Sequence, residues 1–313
     1  MCNKRPLVTF AVISYNQEKF IAEALESALA QSYSPLEVIV SDDCSVDSTF
    51  SIIKEIASNY TGPHRIILNR NEHNLGLADN INLVWELSSG ELVVFQGGDD
   101  ISFSYRTSKL VNTWISQLPR PDLVYSGVIL IDEDGTEISR ITEVAKKTPP
   151  IEDTITGRSI FIAGGCAAAY SRSLHYFTGP LYSGVIAEDF VYSFRALLAN
   201  GIAGISEPLV QYRQHSASII GQLNSSKNTK FRVDDKYLLA QINKLREHKR
   251  AMDAYNVQKR YLRWRLGRQI YSLKAELLFG KSGFFYQTLL MLWALGSLRI
   301  RLFRKMSYML ISY

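Results

Sequence analysis

The sequence predicts an α/β fold built around a largely parallel sheet, and two observations carry that prediction. Short apolar runs alternate with helical patterns of about ten residues, which is typical of parallel strands joined by right-handed crossovers. The run at residues 92–95 is continuously apolar, as in a strand buried on both faces, and Gly97-Gly98-Asp99-Asp100 follows it closely. Open α/β sheets bind ligands at such carboxyl ends. The same four residues also suit a plain turn, so the motif alone leaves both interpretations open.

The elements are predicted from apolar spacing, taken along the chain. Apolar residues three and four apart indicate helices, and short apolar runs indicate strands. Up to residue 100 the predicted strands are 7–13, 36–40, 65–68 and 92–95, and the predicted helices are 20–31, 48–59 and 74–87. Beyond residue 100 the pattern is looser. It predicts helices at 107–117 and 189–200, strands at 122–125, 166–170 and 202–212, a hairpin of 128–131 with 136–140, and loops at 146–153 and 216–230.

Composition places the chain among ordinary globular proteins of a reducing compartment. Hydrophobic residues make up 46% of the chain and charged residues 21%. The three cysteines, Cys2, Cys44 and Cys166, are odd in number and scattered, so they form no disulfide framework and no metal-binding spacing. The apolar run at residues 7–13 is short and is followed by no small-residue cleavage site. It therefore predicts a first strand and not a signal peptide.

The charge is distributed unevenly along the chain. Residues 231–313 hold 17 Lys and Arg against 5 Asp and Glu, a net charge of +12. Residues 1–230 hold 18 basic and 25 acidic residues, a net charge of −7. This asymmetry predicts two parts, a catalytic domain at residues 1–220 and a basic, helical C-terminal region at residues 221–313. A basic region of this kind favours an anionic partner, either nucleic acid or an anionic membrane surface.

The C-terminal region has the features of a helix that lies on a membrane. Apolar residues recur at steps of four and three, with aromatic and basic residues on another face: the stripe is Leu262, Leu266, Ile270, Leu273 and Leu277, and the aromatic residues are Tyr261, Trp264 and Tyr271. Residues 284–298 are mostly apolar. As a helix they would reach about 22 Å, short of the ~30 Å hydrocarbon core. An interfacial helix is therefore favoured over a span, with packing on the protein's own core as the alternative.

Polar residues follow three of the predicted strands. Ser14-Tyr15-Asn16 follows the first strand, Asp42-Asp43 the second and Asp99-Asp100 the fourth. These ends converge in a parallel sheet. A tyrosine can stack on a base, a carboxylate can accept from a base N–H, and paired carboxylates suit Mg²⁺ or Mn²⁺. The constellation predicts a nucleotide site. The chain has no G-x-G-x-x-G after its first strand and no G-x-x-x-x-G-K-[ST], which argues against dinucleotide dehydrogenases and P-loop enzymes.

The chain resembles glycosyltransferase family 2 over roughly residues 6–215. The resemblance is carried by successive segments that occur in the family's order: residues 8–16, 28–33, 37–49, 74–76 with Asn80, 98–100 and 187–190. Residues 98–100 resemble the family's DXD-type motif, and Glu188-Asp189 resembles its catalytic pair. The resemblance implies a GT-A fold, meaning a Rossmann-like mixed sheet flanked by helices, here with a helical, membrane-associating C-terminal extension. It also implies a nucleotide-sugar donor, a divalent metal and inversion at the anomeric carbon.

The resemblance further implies a role for individual residues. The nucleotide site would use Ser14, Tyr15, Asn16, Asp43, Asn74 and Asp99. The metal, Mn²⁺ or Mg²⁺, would be bound by Asp100, and Asp99 would contact either the ribose or the metal. The metal would neutralise the departing diphosphate. Asp189 would be the general base that deprotonates an acceptor hydroxyl, and Glu188 would orient the site. Because Asp189 begins a predicted helix, its pKa is expected to be lowered.

Three further positions are left open by the sequence. His215 is either an additional metal ligand or a plain surface histidine, and Arg213 could bind a phosphate. Gly164 and Gly165 either make room for the acceptor or form a tight turn. Residues 211–215 depart from the Gln-x-x-Arg-Trp motif of the family's processive synthases, which favours a non-processive enzyme.

The sequence therefore predicts a metal-dependent inverting glycosyltransferase on the inner face of the cell membrane. It would move one sugar, most simply from a UDP-sugar, to a lipid-linked saccharide acceptor of surface polysaccharide biosynthesis. Nucleic acid is not expected as a partner. Two alternatives stand beside this interpretation, a nucleotidyltransferase on a related fold and a basic nucleic-acid-binding protein. The first would need a basic, glycine-rich loop after strand one, and residues 14–20 contain no glycine.

Overall fold

The structure, a computed structural model, describes residues 5–144, 151, 164–216, 218 and 235–279. In these ranges nine strands form one sheet: β1 (Val8–Ser14), β2 (Leu36–Asp42), β3 (Arg65–Arg70), β4 (Leu92–Gly97), β5 (Ile101–Ser102), β6 (Leu123–Ile131), β7 (Glu137–Ile141), β8 (Ala168–Ser171) and β9 (Ile202–Arg213). The helices are α1 (Ile21–Leu29), α2 (Thr49–Asn59), α3 (Leu77–Leu87), α4 (Arg106–Ile115), α5 (Arg172–Thr178), α6 (Glu188–Leu198), α7 (Asp235–Ala254) and α8 (Arg260–Phe279). A 3₁₀ turn spans Gly165–Ala167.

The sheet is mixed, as the resemblance implied. Its strand order is β3-β2-β1-β4-β8-β6-β9-β5, with β7 paired to β6 at the side. The first four strands are parallel, because helices connect them in sequence. Beyond β4 the direction changes: β8 is antiparallel to β4 and to β6, and β9 is parallel to β6. The predicted α/β alternation and mixed sheet are therefore confirmed.

Two apolar layers hold the helices on opposite faces of the sheet. Side chains alternate along a strand, so neighbouring residues of β1 enter different layers. Phe10 packs with Leu25 of α1 in one layer, and Ala11 packs with Trp85 of α3 in the other. All four are 0% exposed. This double burial explains why apolar residues dominate both faces of β1 and β4.

The second half of the chain differs from the predicted elements in three places. The predicted strand at 122–125 and the first half of the hairpin form one strand, β6, whose pairing with β9 shifts register on either side of Gly127. Irregular pairing of this kind hides a strand's continuity from an alternation pattern. The short elements β5 and α5 were not predicted. The predicted apolar helix at residues 284–298 and nearly all of the predicted loops at 146–153 and 216–230 lie outside the described residues.

The helices α7 and α8 pack against the α/β unit through α6. Phe194 of α6 lies in a buried cluster with Ala251 and Met252 of α7 and with Leu262 and Leu266 of α8. The predicted apolar stripe on α8 is thus partly used for packing on α7. In the described residues no helix is both long and apolar enough to cross a membrane.

Candidate active site

The carboxyl ends of β3, β2, β1 and β4 lie side by side at one edge of the sheet. The register places Ser14 of β1 opposite Asp42 of β2, and Asp42 opposite Arg70 of β3. On the other side of β1, Ile13 is opposite Gly97 of β4. The polar segments that follow these strands are therefore neighbours in space, as the parallel arrangement predicts.

Asp43 sits in a cradle made by the loop between β3 and α3. Its Oδ1 accepts from the Leu75 amide and from Asn71 Nδ2, and its Oδ2 accepts from the Gly76 amide, each at 2.8 Å. Gly76 has φ of +85°, a conformation that favours glycine. The carboxylate is 4% exposed. Of its roughly four acceptor positions three are occupied, which leaves Oδ2 one position for a ligand's N–H.

Four further residues were predicted to bind the nucleotide, and they differ in exposure: Ser14, Tyr15, Asn16 and Asn74. Ser14 is buried and its hydroxyl donates to Asp42 at 3.2 Å, while Asn16 Oδ1 accepts from the Val46 amide at 2.9 Å. These two side chains hold the strand ends together. Tyr15 is 46% exposed, and Asn74 is also exposed. Tyr15, Asn16 and Asn74 of this group are therefore exposed to solvent, whereas Ser14 is buried.

Gly97 allows two carboxylates to fold back over the end of β4. A Cβ atom at Gly97 would lie 2.5 Å from Asp99 Oδ1 and 3.0 Å from Asp100 Oδ2, closer than side chains pack. Asp100 is 1% exposed, and its Oδ1 accepts from the Arg213 amide at 3.0 Å. Burial, and next the charge of Asp99, raise the pKa of Asp100 well above its usual range.

His215 contacts this acidic pair directly. Its Nε2 lies 2.9 Å from Asp99 Oδ2, its ring is 4.9 Å from the Phe20 ring, and its side chain is 6% exposed. The interpretation of His215 as a plain surface residue is therefore wrong. Its role as a metal ligand stays a prediction.

The donor set at the end of β4 has the chemistry that a divalent cation needs. Within the described ranges no three His, Cys, Asp or Glu residues are already grouped as metal ligands. Asp99 and Asp100 nevertheless supply hard carboxylate oxygens, and His215 supplies an imidazole nitrogen, a combination suited to Mn²⁺ or Mg²⁺. A cation would also offset the charge of Asp99, which after burial helps to raise the pKa of Asp100. The residues present therefore fit such a metal.

Arg213 is a structural residue and does not face a phosphate. Its side chain is 3% exposed, and its guanidinium donates to Glu23 Oε2 at 2.6 Å and to the backbone oxygens of Asp99, Asp132 and Glu133. It also lies over the Phe20 ring, 4.8 Å from the centroid. These contacts use four of the five guanidinium N–H donors, and the one from Nε fixes the carbonyl of Asp99.

Glu188 and Asp189 form the first turn of α6 and are both partly buried. Burial raises the pKa of Glu188 to about 8, with a further contribution from the neighbouring Asp189 charge. Burial also raises the pKa of Asp189 to about 6, against the lowering effects of the Phe190 amide and of Lys244. The expected lowering of the Asp189 pKa is therefore wrong, because desolvation outweighs the helix terminus. A carboxylate with a pKa near 6 is well suited to general base catalysis at neutral pH.

Gly165 leaves space for Glu188. A Cβ atom at Gly165 would collide with Glu188 Oε1, whereas a Cβ atom at Gly164 would meet nothing within 4 Å. Gly165 also begins the 3₁₀ turn, so the turn interpretation and a role in the site both apply. The space at Gly165 is occupied by the Glu188 carboxyl, which the sequence did not indicate.

The two acidic pairs face a common region around Cys166. The charges of Asp99, Asp100 and Asp189 all act on the Cys166 thiol, and after burial they help to raise its pKa well above the usual range. The same three charges act on the Tyr212 hydroxyl and contribute to its raised pKa. The ends of β4 and β9 and the start of α6 therefore lie close together around the 3₁₀ turn.

The sequence analysis assigned no separate role to Asp42 and did not find Lys244. Asp42 is 0% exposed, and its carboxylate accepts from the Ser45 amide and hydroxyl at 2.9 and 2.5 Å and pairs with Arg70 Nε at 3.7 Å, so it supports the loop that carries Asp43. Lys244 of α7 acts on Asp189. The adjacency of Asp42 and Asp43 was visible, but no pattern in the sequence connects Lys244 with a residue so distant in the chain.

Comparison with known proteins identifies the class to which this fold and site belong, the glycosyltransferases. The family model "Glycosyl transferase family 2" matches residues 9–177. The teichuronic acid biosynthesis glycosyltransferase TuaG of Bacillus subtilis, a putative assignment, is 30% identical over 223 residues, which are 70% of this chain and 83% of that protein. The chain therefore belongs to glycosyltransferase family 2. This membership sets aside the nucleotidyltransferase alternative.

Other relatives share a smaller part of their length. The putative glycosyltransferase EpsE of Bacillus subtilis is 35% identical over 164 residues, which are 50% of this chain and 58% of EpsE. The Escherichia coli enzyme WfaP, a UDP-Glc:alpha-D-GlcNAc-diphosphoundecaprenol beta-1,3-glucosyltransferase, is 33% identical over 106 residues, 34% of this chain and 39% of WfaP. The chain thus spans well under two thirds of these two relatives.

Solved structures confirm the GT-A fold. Staphylococcus aureus TarS in complex with UDP-GlcNAc superimposes with a TM-score of 0.60 at 18% identity, covering 91% of this chain and 79% of that one. A mannosyltransferase from Pyrobaculum calidifontis, in complex with GDP-Man and Mn²⁺, gives a TM-score of 0.55 at 19% identity, covering 98% and 84%. At these identities the likeness concerns the fold alone.

Proposed function

We propose that this family 2 enzyme is a metal-dependent, inverting glycosyltransferase that moves one sugar from a UDP-sugar to a hydroxyl of a lipid-linked saccharide. The observation that carries the proposal is that the Asp99–Asp100 pair and the Glu188–Asp189 pair lie around the same 3₁₀ turn. A donor diphosphate needs a cation site and an acceptor hydroxyl needs a base, and this region offers residues for both.

The donor nucleotide would lie across the ends of β1, β2 and β3. The exposed ring of Tyr15 would stack on the base, and the remaining acceptor position of Asp43 would take a base N–H. Because the Leu75 and Gly76 amides already fix the Asp43 carboxylate, little ordering is required on binding. Asn74, exposed on the same loop as these amides, would contact the ribose or the base edge.

The transfer itself would depend on the start of α6. At neutral pH Asp189, with a pKa of about 6, is ionised, and Glu188, with a pKa of about 8, is protonated. Asp189 would take the proton of the acceptor hydroxyl. The hydroxyl oxygen would at the same time attack the anomeric carbon, in line with the leaving diphosphate. Protonated Glu188 would donate a hydrogen bond and orient the acceptor. A divalent ion held by Asp99, Asp100 and His215 would supply charge neutralisation of the diphosphate when bound.

The acceptor and the cellular site are proposed from the relatives and from α8. The name of TuaG specifies teichuronic acid biosynthesis, and the name of WfaP specifies a diphosphoundecaprenol-linked sugar as acceptor. On α8, Arg265 lies over the Tyr261 ring and Arg268 over the Trp264 ring, and Tyr261 is 59% exposed. This surface, the Tyr261–Arg268 face, combines the aromatic and basic groups that favour an anionic membrane interface. We place the enzyme at the inner face of the cell membrane on this basis.

A donor panel tests the proposal. The purified protein is incubated with Mn²⁺, a UDP-, GDP- or dTDP-sugar, and a lipid extract that contains saccharide-linked carrier. The masses of the lipids are then measured by mass spectrometry. We expect one lipid to gain the mass of a single sugar residue with a UDP-sugar, and NMR of the product to show the anomeric configuration opposite to that of the donor. Gain of a nucleotide with release of pyrophosphate would instead identify a nucleotidyltransferase.

A further inference from the structure

The helix α7 fastens the segment that leads into the catalytic pair. Glu247 Oε1 accepts from the Tyr182 amide at 2.6 Å, and Asn243 Nδ2 donates to the Ser183 carbonyl at 2.9 Å. Gly184, the next residue, has φ of +76°, so the chain turns sharply at the point where α7 holds it. Two consecutive backbone groups before α6 are thus bonded to side chains of α7.

The same helix also holds the body of α6. Arg195 of α6 pairs with Glu247 at 2.7 Å, and both side chains are 0% exposed. Arg250 Nη2 joins the same carboxylate oxygen at 2.7 Å, and the ring of His248 stacks on Phe194 at 4.1 Å between centroids. A buried, multiply bonded carboxylate of this kind defines one relative position of two helices. The position of Asp189 at the start of α6 therefore depends on α7.

Lys244 is the residue of α7 that reaches the catalytic end of α6. Its Nζ lies 4.8 Å from the centroid of the Phe190 ring, and Phe190 follows Asp189 directly. The Lys244 side chain is partly buried, so its charge is screened less than that of a solvent-exposed lysine. Its charge acts on Asp189, and the charge of Asp189 acts on it in return.

The other titratable groups near Asp189 add no positive charge at neutral pH: burial lowers the pKa of His248 on α7, the Asp99–Asp100 pair near Cys166 is acidic, and four further groups are neutral. In the described part of the chain they are Glu188 on α6, Cys166 on the 3₁₀ turn, Tyr170 on β8 and Tyr212 on β9. Burial raises the pKa of each of these four groups, so each is neutral at pH 7. Lys244 is the cation that these described elements place opposite Asp189.

We propose that Lys244 is a positioning residue for the transfer reaction, which keeps Asp189 ionised and directed toward the acceptor hydroxyl. The helix α7 lies beyond the segment matched by the family model, so the C-terminal region would complete the site of the preceding domain. The inference rests on the proposed role of Asp189 as the general base.

The sign of the effect follows from the charges. A cation opposite a carboxylate favours the ionised form and lowers the pKa of the carboxyl. Loss of Lys244 therefore raises the pKa of Asp189, and the base is protonated over a wider range of acid pH. Since only ionised Asp189 can accept the proton, the acid limb of kcat/KM moves to higher pH.

The experiment compares Lys244→Met with Lys244→Arg and with the matched control Lys249→Met, which removes an exposed lysine from the same helix. The acid limb of kcat/KM for the acceptor is measured at saturating donor. We expect it to move up by about one pH unit in Lys244→Met, a shift of the size produced by a nearby charge. Lys244→Arg keeps the positive charge, so its acid limb should lie close to that of the wild type. Lys249→Met should leave the acid limb in place.

A purely structural role would give a different pattern. It would lower the unfolding temperature or kcat at every pH and leave the acid limb where it is, and that result overturns the inference. Lys244→Gln repeats the test if the Met variant does not fold. An Asp189→Asn variant separates the two hypotheses. If this variant is active, the proposed base is wrong; if it is inactive while the limb of Lys244→Met is unmoved, the role of Lys244 alone is wrong.

Discussion

His215 Nε2 lies 2.9 Å from Asp99 Oδ2, although 116 residues separate them in the chain. The contact joins the segment after β9 to the segment after β4, although β8 and β6 lie between these two strands in the sheet. A shared cation would lie between such groups, since both can donate electron pairs to it. The relationship makes His215 the most specific test of the metal proposal.

We predict that a His215→Ala variant binds Mn²⁺ more weakly in the presence of UDP. Loss of one ligand should reduce the affinity for the metal roughly 10–100-fold, the scale found when the surroundings of a metal site are altered. Calorimetric titration of Mn²⁺ into the protein with UDP measures it, and EDTA should abolish turnover. His73→Ala, which removes an exposed histidine near the nucleotide site, is the control. Equal Mn²⁺ affinity in all three proteins, or full activity in EDTA, would contradict the assignment.

Gly165 and Gly164 offer a matched pair of substitutions. In Gly165→Ala the added methyl group displaces the Glu188 carboxyl, so we expect kcat to fall about tenfold or more because the acceptor is misplaced. The free energy of unfolding should change by about 1 kcal/mol at most, since a flexible side chain can move aside. Gly164→Ala has open space and should retain the wild-type kcat. Equal kcat values for the two variants, from steady-state assays, would show that the position of Glu188 is unimportant.

Glu188 should make stability fall as pH rises. Its pKa is about 8 in the folded protein and about 4.5 when unfolded, so the folded state holds a proton that the unfolded state has lost between these values. Glu188→Gln, which is always neutral, should unfold at the same denaturant concentration as wild type near pH 4.5. Near pH 8 it should be more stable, by on the order of 1–3 kcal/mol. Urea unfolding at both pH values measures this, with Glu72→Gln as an exposed control. A stability difference that is independent of pH would refute the raised pKa.

Membrane association is tested at the Tyr261–Arg268 face. Arg263 is unsuitable for this test, because it pairs with Asp253 and donates to the Val257 and Met252 carbonyls between α7 and α8. We predict that charge reversal at Arg260, Arg265 and Arg268 reduces co-sedimentation with anionic liposomes, since each basic residue contributes about 1 kcal/mol near such a surface.

The controls for membrane binding vary the position of the reversed charges, the salt concentration and the length of the protein chain. Reversal of three exposed lysines elsewhere, Lys19, Lys54 and Lys249, should have a smaller effect. Binding to neutral liposomes should change little in either variant, and salt should weaken binding to the anionic ones. Removal of residues 284–313 should reduce binding further. Equal sedimentation of all variants with anionic liposomes would mean that this face does not bind membranes, and RNA binding by the same face would revive the nucleic-acid alternative.

The first half of the fold could be predicted because its signals are local. In β1 and β4 most buried positions are apolar, and in α1 and α3 the apolar spacing is helical, so type and order follow from short windows of sequence. The polar strand ends then converge because parallel strands leave no other arrangement. Tyr15, Asp43 and Asp99 were found in this way.

The remainder depends on contacts between distant segments. Arg213 is satisfied by Glu23, 190 residues earlier, and by the carbonyls near residues 99 and 132, which no local pattern reveals. The Asp189 pKa was predicted with the wrong sign because the helix terminus is visible in the sequence and the burial is not. Lys244 was missed for the same reason, since its partner is on another helix.

The central claim is that Asp189 is the base of a glycosyl transfer, and the turnover of Asp189→Asn tests it most directly. Asparagine keeps the shape of the side chain but cannot accept the proton. We expect kcat to fall about 10²–10⁴-fold, the usual contribution of general base catalysis, while calorimetry shows unchanged affinity for the UDP-sugar. A variant that binds the donor normally and turns over at the wild-type rate would contradict the account.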